Sequence, residues 1–124
     1  MWGVSYYGKQ FHYNMGAPLG TDWIRSHSNG TYEHVWDDTH ATEVITTAAI
    51  DIIHEHTIER EIDPLFLYVS YTAAHSPLQP LESDMVYCEH IPHLWRRQFC
   101  GLMVGLDRSI EELYAILKQQ LGDD

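Results

Sequence analysis

Histidine is the side chain that changes charge near neutral pH, and among the nine in this chain His75 stands where such a change could be used. It follows Leu65-Phe66-Leu67-Tyr68-Val69-Ser70-Tyr71, a run apolar on both faces, which is the pattern of a central strand in a parallel sheet covered by helices. In open α/β sheets ligands bind outside the carboxyl ends of the strands, and Ala74-His75-Ser76-Pro77-Leu78-Gln79-Pro80 is the loop at that end. There an imidazolium would hydrogen-bond an anion or protonate a leaving group. On position alone, a plainer reading stands beside this one: a loop histidine that caps backbone carbonyls.

The other clusters carry less. Cys88, His90 and His93 offer three donors for a metal, but a fourth is missing and the spacing matches no zinc pattern, so no metal ligands are assigned. His54 and His56 are two apart on an expected helix, hence about 200° apart around it, and read as surface residues. Asp37-Asp38 precedes that helix and reads as a cap. Arg96-Arg97 reads as the exposed face of the last helix. Asn29-Gly30-Thr31 fits the N-glycosylation acceptor pattern, which has meaning only if the chain enters the secretory pathway.

Composition bounds the partners. With 18 Asp and Glu against 7 Lys and Arg in 124 residues the net charge is −11, and no basic surface suited to nucleic acid is expected. Protonating the nine histidines would offset most of that charge, so an acidic compartment is permitted. A hydrophobic fraction of 44% with 12% aromatics describes a chain that folds around a core. No apolar run approaches the ~20 residues of a membrane span. The start, Met1-Trp2-Gly3-Val4-Ser5-Tyr6-Tyr7, lacks the basic and apolar stretches of a secretory signal. Two cysteines without CxxC spacing leave the redox compartment open.

Several elements must position His75. Residues 1–38, rich in Gly, Tyr, Trp, Asn and His, read as a long ordered loop region lining a site. A helix is expected over 39–60, with Val44, Ile45, Ala48, Ala49, Ile52 and Ile53 at helical spacing, Asp38 or Thr39 as its cap and Glu43 in its first turn. The buried strand occupies 65–71 and a loop fills 72–93. A second helix spans 94–121, where Phe99, Met103, Leu106, Ile110, Leu113 and Leu117 form one stripe. A central strand needs neighbours on both sides, yet Val4 to Tyr7 and Met85 to Tyr87 are the only other strand-like runs, and both are short. Such a chain reads as a piece of a larger sheet domain.

Pro64-Leu65-Phe66-Leu67-Tyr68-Val69-Ser70-Tyr71-Thr72-Ala73-Ala74-His75-Ser76-Pro77-Leu78-Gln79 resembles the strand and following loop of the sulfatase family, nearest in character to the arylsulfatase B, I and J group. Gly3-Val4-Ser5-Tyr6-Tyr7-Gly8 and Tyr13-Asn14-Met15-Gly16-Ala17 resemble the Gly and aromatic loop before it. Thr42-Glu43 through Ala49-Ile50 and Arg96-Arg97 through Leu106-Asp107 resemble the flanking helices.

The resemblance implies an α/β fold, part of an alkaline-phosphatase-like domain with a mostly parallel central sheet flanked by helices. It implies hydrolysis of sulfate esters by a formylglycine made from cysteine, with a calcium ion, in a lysosomal or secreted protein. The substrate would be a sulfated small molecule or sulfated glycan. His75 matches the family's histidine that contacts the sulfate and helps protonate the leaving alcohol.

The departures bear on activity. The CxPSR motif is absent, since Cys88 is followed by Glu89-His90-Ile91 and Cys100 by Gly101-Leu102-Met103. The family's GKWH segment is absent too, and Gly8-Lys9-Gln10-Phe11-His12 only echoes it. The calcium ligands are not in this chain. The expectation is a central segment of a sulfatase, inactive by itself. A phosphoesterase on the same fold and a small non-catalytic His-rich binding protein are the alternatives.

Overall fold

The computed structural model describes residues 3–5, 24–26, 29–34, 39–59 and 63–121. The chain divides into two compact units, Met1–Ala41 and Thr42–Asp124.

In the first unit three short strands, β1 (Gly3–Ser5), β2 (Ile24–Ser26) and β3 (Tyr32–His34), form an antiparallel sheet in the order β1-β2-β3. Val4 lies opposite Arg25, and Arg25 opposite Glu33. The Arg25 and Glu33 side chains meet at 3.5 Å, a solvent-exposed pair worth little to stability. The turn between β2 and β3 passes through Gly30 at φ +84°, a left-handed conformation that glycine adopts without strain. The region expected as loop thus contains a sheet. The short strand-like run at Val4 overlaps β1, whereas β2 and β3, at three residues each, are too short to show a period of 2. The proposed cap Asp37-Asp38 and the Gly8 to His12 and Tyr13 to Ala17 segments lie outside the described residues.

The second unit is helical. Helix α1 spans Ala41–Glu59, close to the expected 39–60. It buries Ala41, Ile45, Ala49 and Ile53, a row with four-residue steps, together with Thr42 and Thr46. Thr46 escapes the cost of burying a hydroxyl by donating to the Thr42 carbonyl at 2.7 Å. A short α2 (Glu82–Met85) runs into a single 3-10 turn at Val86–Cys88, so Met85 to Tyr87 is helical, not a strand. Helix α3 covers Leu94–Leu121, with the expected bounds.

Residues 65–71 correct the sequence reading. They are extended but make no sheet pairing, and Phe66 and Tyr68 are 92% and 81% exposed. Leu67, Val69 and Tyr71 alternate with them as half-buried residues, so the two-residue period of a strand is present. One face of the segment meets α1, where Tyr71 Oη and Thr46 Oγ1 share a hydrogen bond of 2.9 Å. The other face meets solvent. No parallel central sheet exists among the described residues. Apolar alternation records which side chains favour burial, but a strand is defined by hydrogen bonds to neighbours, and none of the described segments lies alongside.

Helix α3 also departs from expectation. Its buried row is Gly101, Gly105 and Ser109, with Leu102 beside them, whereas Phe99, Met103 and Ile110 of the expected stripe are exposed. The two rows lie roughly a third of a turn apart. Small residues are needed on the inner row because neighbouring atoms approach very closely. A Cβ at Gly101 would stand 2.8 Å from Pro80 Cβ, and one at Gly105 would stand 2.7 Å from Asp84 Oδ2.

Candidate functional site

His75 sits in the loop that follows the extended segment, on the exposed surface of the second unit. A turn over 72–75 places it: the His75 amide donates to the Thr72 carbonyl at 2.8 Å. The Ala73-Ala74 and Ser76-Pro77 peptides on either side are cis. The imidazole is oriented by the next residue, since Nδ1 lies 2.6 Å from the Ser76 carbonyl oxygen. A carbonyl can only accept, so Nδ1 carries the proton in this arrangement. Of the two sequence readings of His75, the plainer one describes this contact: the imidazole binds a backbone carbonyl.

The remaining candidates do not join it. Among the described residues no group of three His, Cys, Asp or Glu side chains could hold a metal ion. Cys88 and Cys100 form a disulfide, which removes Cys88 from any set with His90 and His93. The same bond consumes both thiols of the chain, so neither is available to become a formylglycine. Calcium and the aldehyde nucleophile thus have no fitting residues among those described here. His54 is half-buried, with Nδ1 lying 3.1 Å from Gln120 Nε2, a contact that ties the end of α3 to α1. Arg96 is exposed as expected, but Arg97 folds back to donate from Nε to the Ile91 carbonyl at 2.8 Å.

Sequence reasoning missed an ion pair that braces this unit. Asp84, only 2% exposed, receives Arg108 Nη1 on Oδ1 at 2.8 Å and Nη2 on Oδ2 at 3.2 Å, a bidentate fork. Arg108 also reaches Glu43 of α1 at 3.9 Å. Arg108, itself on α3, therefore links α2 and α1. The 24-residue separation of Asp84 and Arg108 gives no sequence signal.

Among the described residues, the environment of Tyr71, four residues before His75, shifts its titration clearly. Burial pushes its phenol above the ordinary value, the Thr46 hydrogen bond opposes this, and the negative charge of Glu112 adds to it. The folded chain then holds the phenolic proton more tightly than the unfolded chain does. This contribution to stability is complete below about pH 10 and is lost as the pH rises through the shifted value. Tyr71→Phe is expected to remove that alkaline dependence while losing about 1 kcal/mol for the hydrogen bond. Helical circular dichroism followed from about pH 8 to 12 checks this; equal alkaline loss in both chains would refute it.

Comparison with known proteins places these features. No family model matches the sequence. Arylsulfatase J of Mus musculus is 28% identical over 110 residues, covering 87% of this chain and 18% of that protein. The crystal structure of Ps i-CgsB superposes with a TM-score of 0.68 at 24% identity, over 74% of this chain and 20% of that one. The structure of Ps i-CgsB in complex with k-i-k-neocarrahexaose superposes equally well. The structural match shows a shared fold, and the sequence match supports a fragment of a sulfatase-family protein. The chain spans about a fifth of the length of the relatives it matches.

Proposed function

We propose that this chain is a segment of a sulfuric ester hydrolase, and that the full-length parent cleaves a sulfate ester on a sugar or an aryl alcohol. The observation that carries the reading is the similarity to Arylsulfatase J across 110 residues, a span that reaches over most of the chain. His75 contributes the sulfate contact. As imidazolium it hydrogen-bonds the ester and passes a proton to the departing oxygen. The nucleophile and the calcium site belong to other parts of the parent, and no step of theirs is assigned to residues here. By itself the chain turns over nothing, since one proton donor without a nucleophile does not make a hydrolase. The parent works in a lysosomal or extracellular setting, which the Cys88–Cys100 disulfide supports.

The test is hydrolysis by the purified parent of an aryl sulfate and of the matching aryl phosphate. Release of inorganic sulfate, with the phosphate ester left largely intact, is the expected result. Release of phosphate alone would transfer the chain to the phosphoesterases, and no release from either would remove the hydrolase reading.

A further inference from the structure

The β2–β3 turn carries an Asn-x-Thr tripeptide arranged for a modification. Asn29 and Thr31 are both exposed there, as are Gly30, Tyr32 and Glu33. The Thr31 amide donates to Asn29 Oδ1 at 3.0 Å, and the Thr31 hydroxyl donates to the same oxygen at 2.7 Å. This is an Asx-turn closed by a second donor. Two donors on the carboxamide oxygen draw electron density from the amide and leave Nδ2 outside the turn's own hydrogen bonds. Gly30 between them adopts φ +84°, and a Cβ built on it would meet nothing within 4 Å. The tip therefore has open space for a bulky polar group, and no core side chain is displaced by attaching one.

A second observation is independent of the first. The chain's two cysteines, 12 residues apart, are joined in a disulfide, and Cys88 is fully buried. Such a structural bond forms and persists in an oxidising compartment. In eukaryotes that is the compartment in which Asn-x-Thr acceptors are modified.

We infer that Asn29 is an N-glycosylation site and that the chain matures in the oxidising secretory pathway. In the transfer, Asn29 Nδ2 bonds to the anomeric carbon of a lipid-diphosphate-linked oligosaccharide. The bond between that carbon and the diphosphate oxygen breaks, the diphosphate leaves with the electron pair, and the Nδ2 proton passes to a base of the transferase. The turn presents the acceptor, and Thr31 supplies the hydroxyl that polarises it.

The experiment expresses this chain behind a secretory leader in a eukaryotic host and maps the secreted protein by mass spectrometry without reduction. The expected result is a glycan on the Asn29 peptide of most chains, removable by a peptide N-glycosidase that leaves aspartate at position 29, together with an intact Cys88–Cys100 peptide pair. Thr31→Ala should abolish the glycan, and Thr31→Ser, which keeps the hydroxyl, should retain it. Secreted, disulfide-bonded chain with unmodified Asn29 would overturn the site. Free thiols at Cys88 and Cys100 in the secreted chain would overturn the compartment. Neither readout depends on sulfate hydrolysis, so its failure and that of the sulfatase reading remain separate.

Discussion

Replacing His75 with alanine in the full-length parent is expected to lower turnover of a sugar sulfate by about 10²- to 10⁴-fold. The variant loses a charge-assisted hydrogen bond to the ester and a proton donor to the leaving oxygen. The side chain is exposed, so its removal opens no cavity in the core and folding should be largely unchanged. The size of the loss should depend on the leaving group. A phenol departs as a fairly stable anion and needs little protonation, whereas a sugar hydroxyl departs poorly without a proton. His75→Ala should therefore reduce hydrolysis of an activated aryl sulfate less than that of a sugar sulfate. His75→Gln, which can hydrogen-bond but cannot deliver a proton at neutral pH, should recover part of the binding term and none of the leaving-group dependence. Near-normal turnover of both esters by a folded His75→Ala enzyme would leave His75 as a loop residue that holds the Ser76 carbonyl.

Gly105→Val is expected to open the α2–α3 junction and raise the rate of proteolytic cleavage across residues 80–108 by about 10²-fold. An exposed helical glycine is ordinarily worth replacing, since alanine is favoured by about 1 kcal/mol in a helix interior. Here the neighbour decides otherwise. A Cβ at position 105 would stand 2.7 Å from Asp84 Oδ2, and that oxygen is held by Arg108 Nη2 at 3.2 Å. The carboxylate cannot step aside without surrendering the bidentate pair, and a buried carboxylate that loses its partner costs about 3 kcal/mol or more. Three kilocalories per mole correspond to about a hundredfold change in the open population that a protease samples. Gly105→Ala should show a smaller effect of the same sign. Asp84→Ala removes both the obstacle and the buried charge, so the double variant Gly105→Val with Asp84→Ala should be less damaged than the two single effects added. Strict additivity, or slower cleavage of Gly105→Val, would show that α3 does not depend on this close approach.

The two long helices were legible because a helix is a local object. Val44 to Ile53 and Phe99 to Leu117 state the 3.6-residue period within a few turns, and α1 and α3 fall at Ala41–Glu59 and Leu94–Leu121. The acceptor tripeptide at Asn29 and the histidine after an apolar run were legible for the same reason, since each is a pattern of adjacent residues. What the sequence could not determine is everything that depends on a partner distant along the chain. The run 65–71 reads as apolar on both faces and hence as a buried central strand, but the neighbours that would bury both faces are not among the described residues, so Phe66 and Tyr68 face solvent. The sequence gathers the large residues of α3 on one stripe, but packing buries the small row of Gly101, Gly105 and Ser109, because Pro80 and Asp84 come closer than a side chain allows. Two cysteines permitted one pairing without stating that it forms; folding Val86–Cys88 against the first turns of α3 brings their Cα atoms to 6.0 Å. The tautomer of His75 is likewise a tertiary fact. Residue order places a carbonyl after every histidine, but only the backbone path from Thr72 to Ser76 turns this one onto Nδ1, which therefore carries the proton.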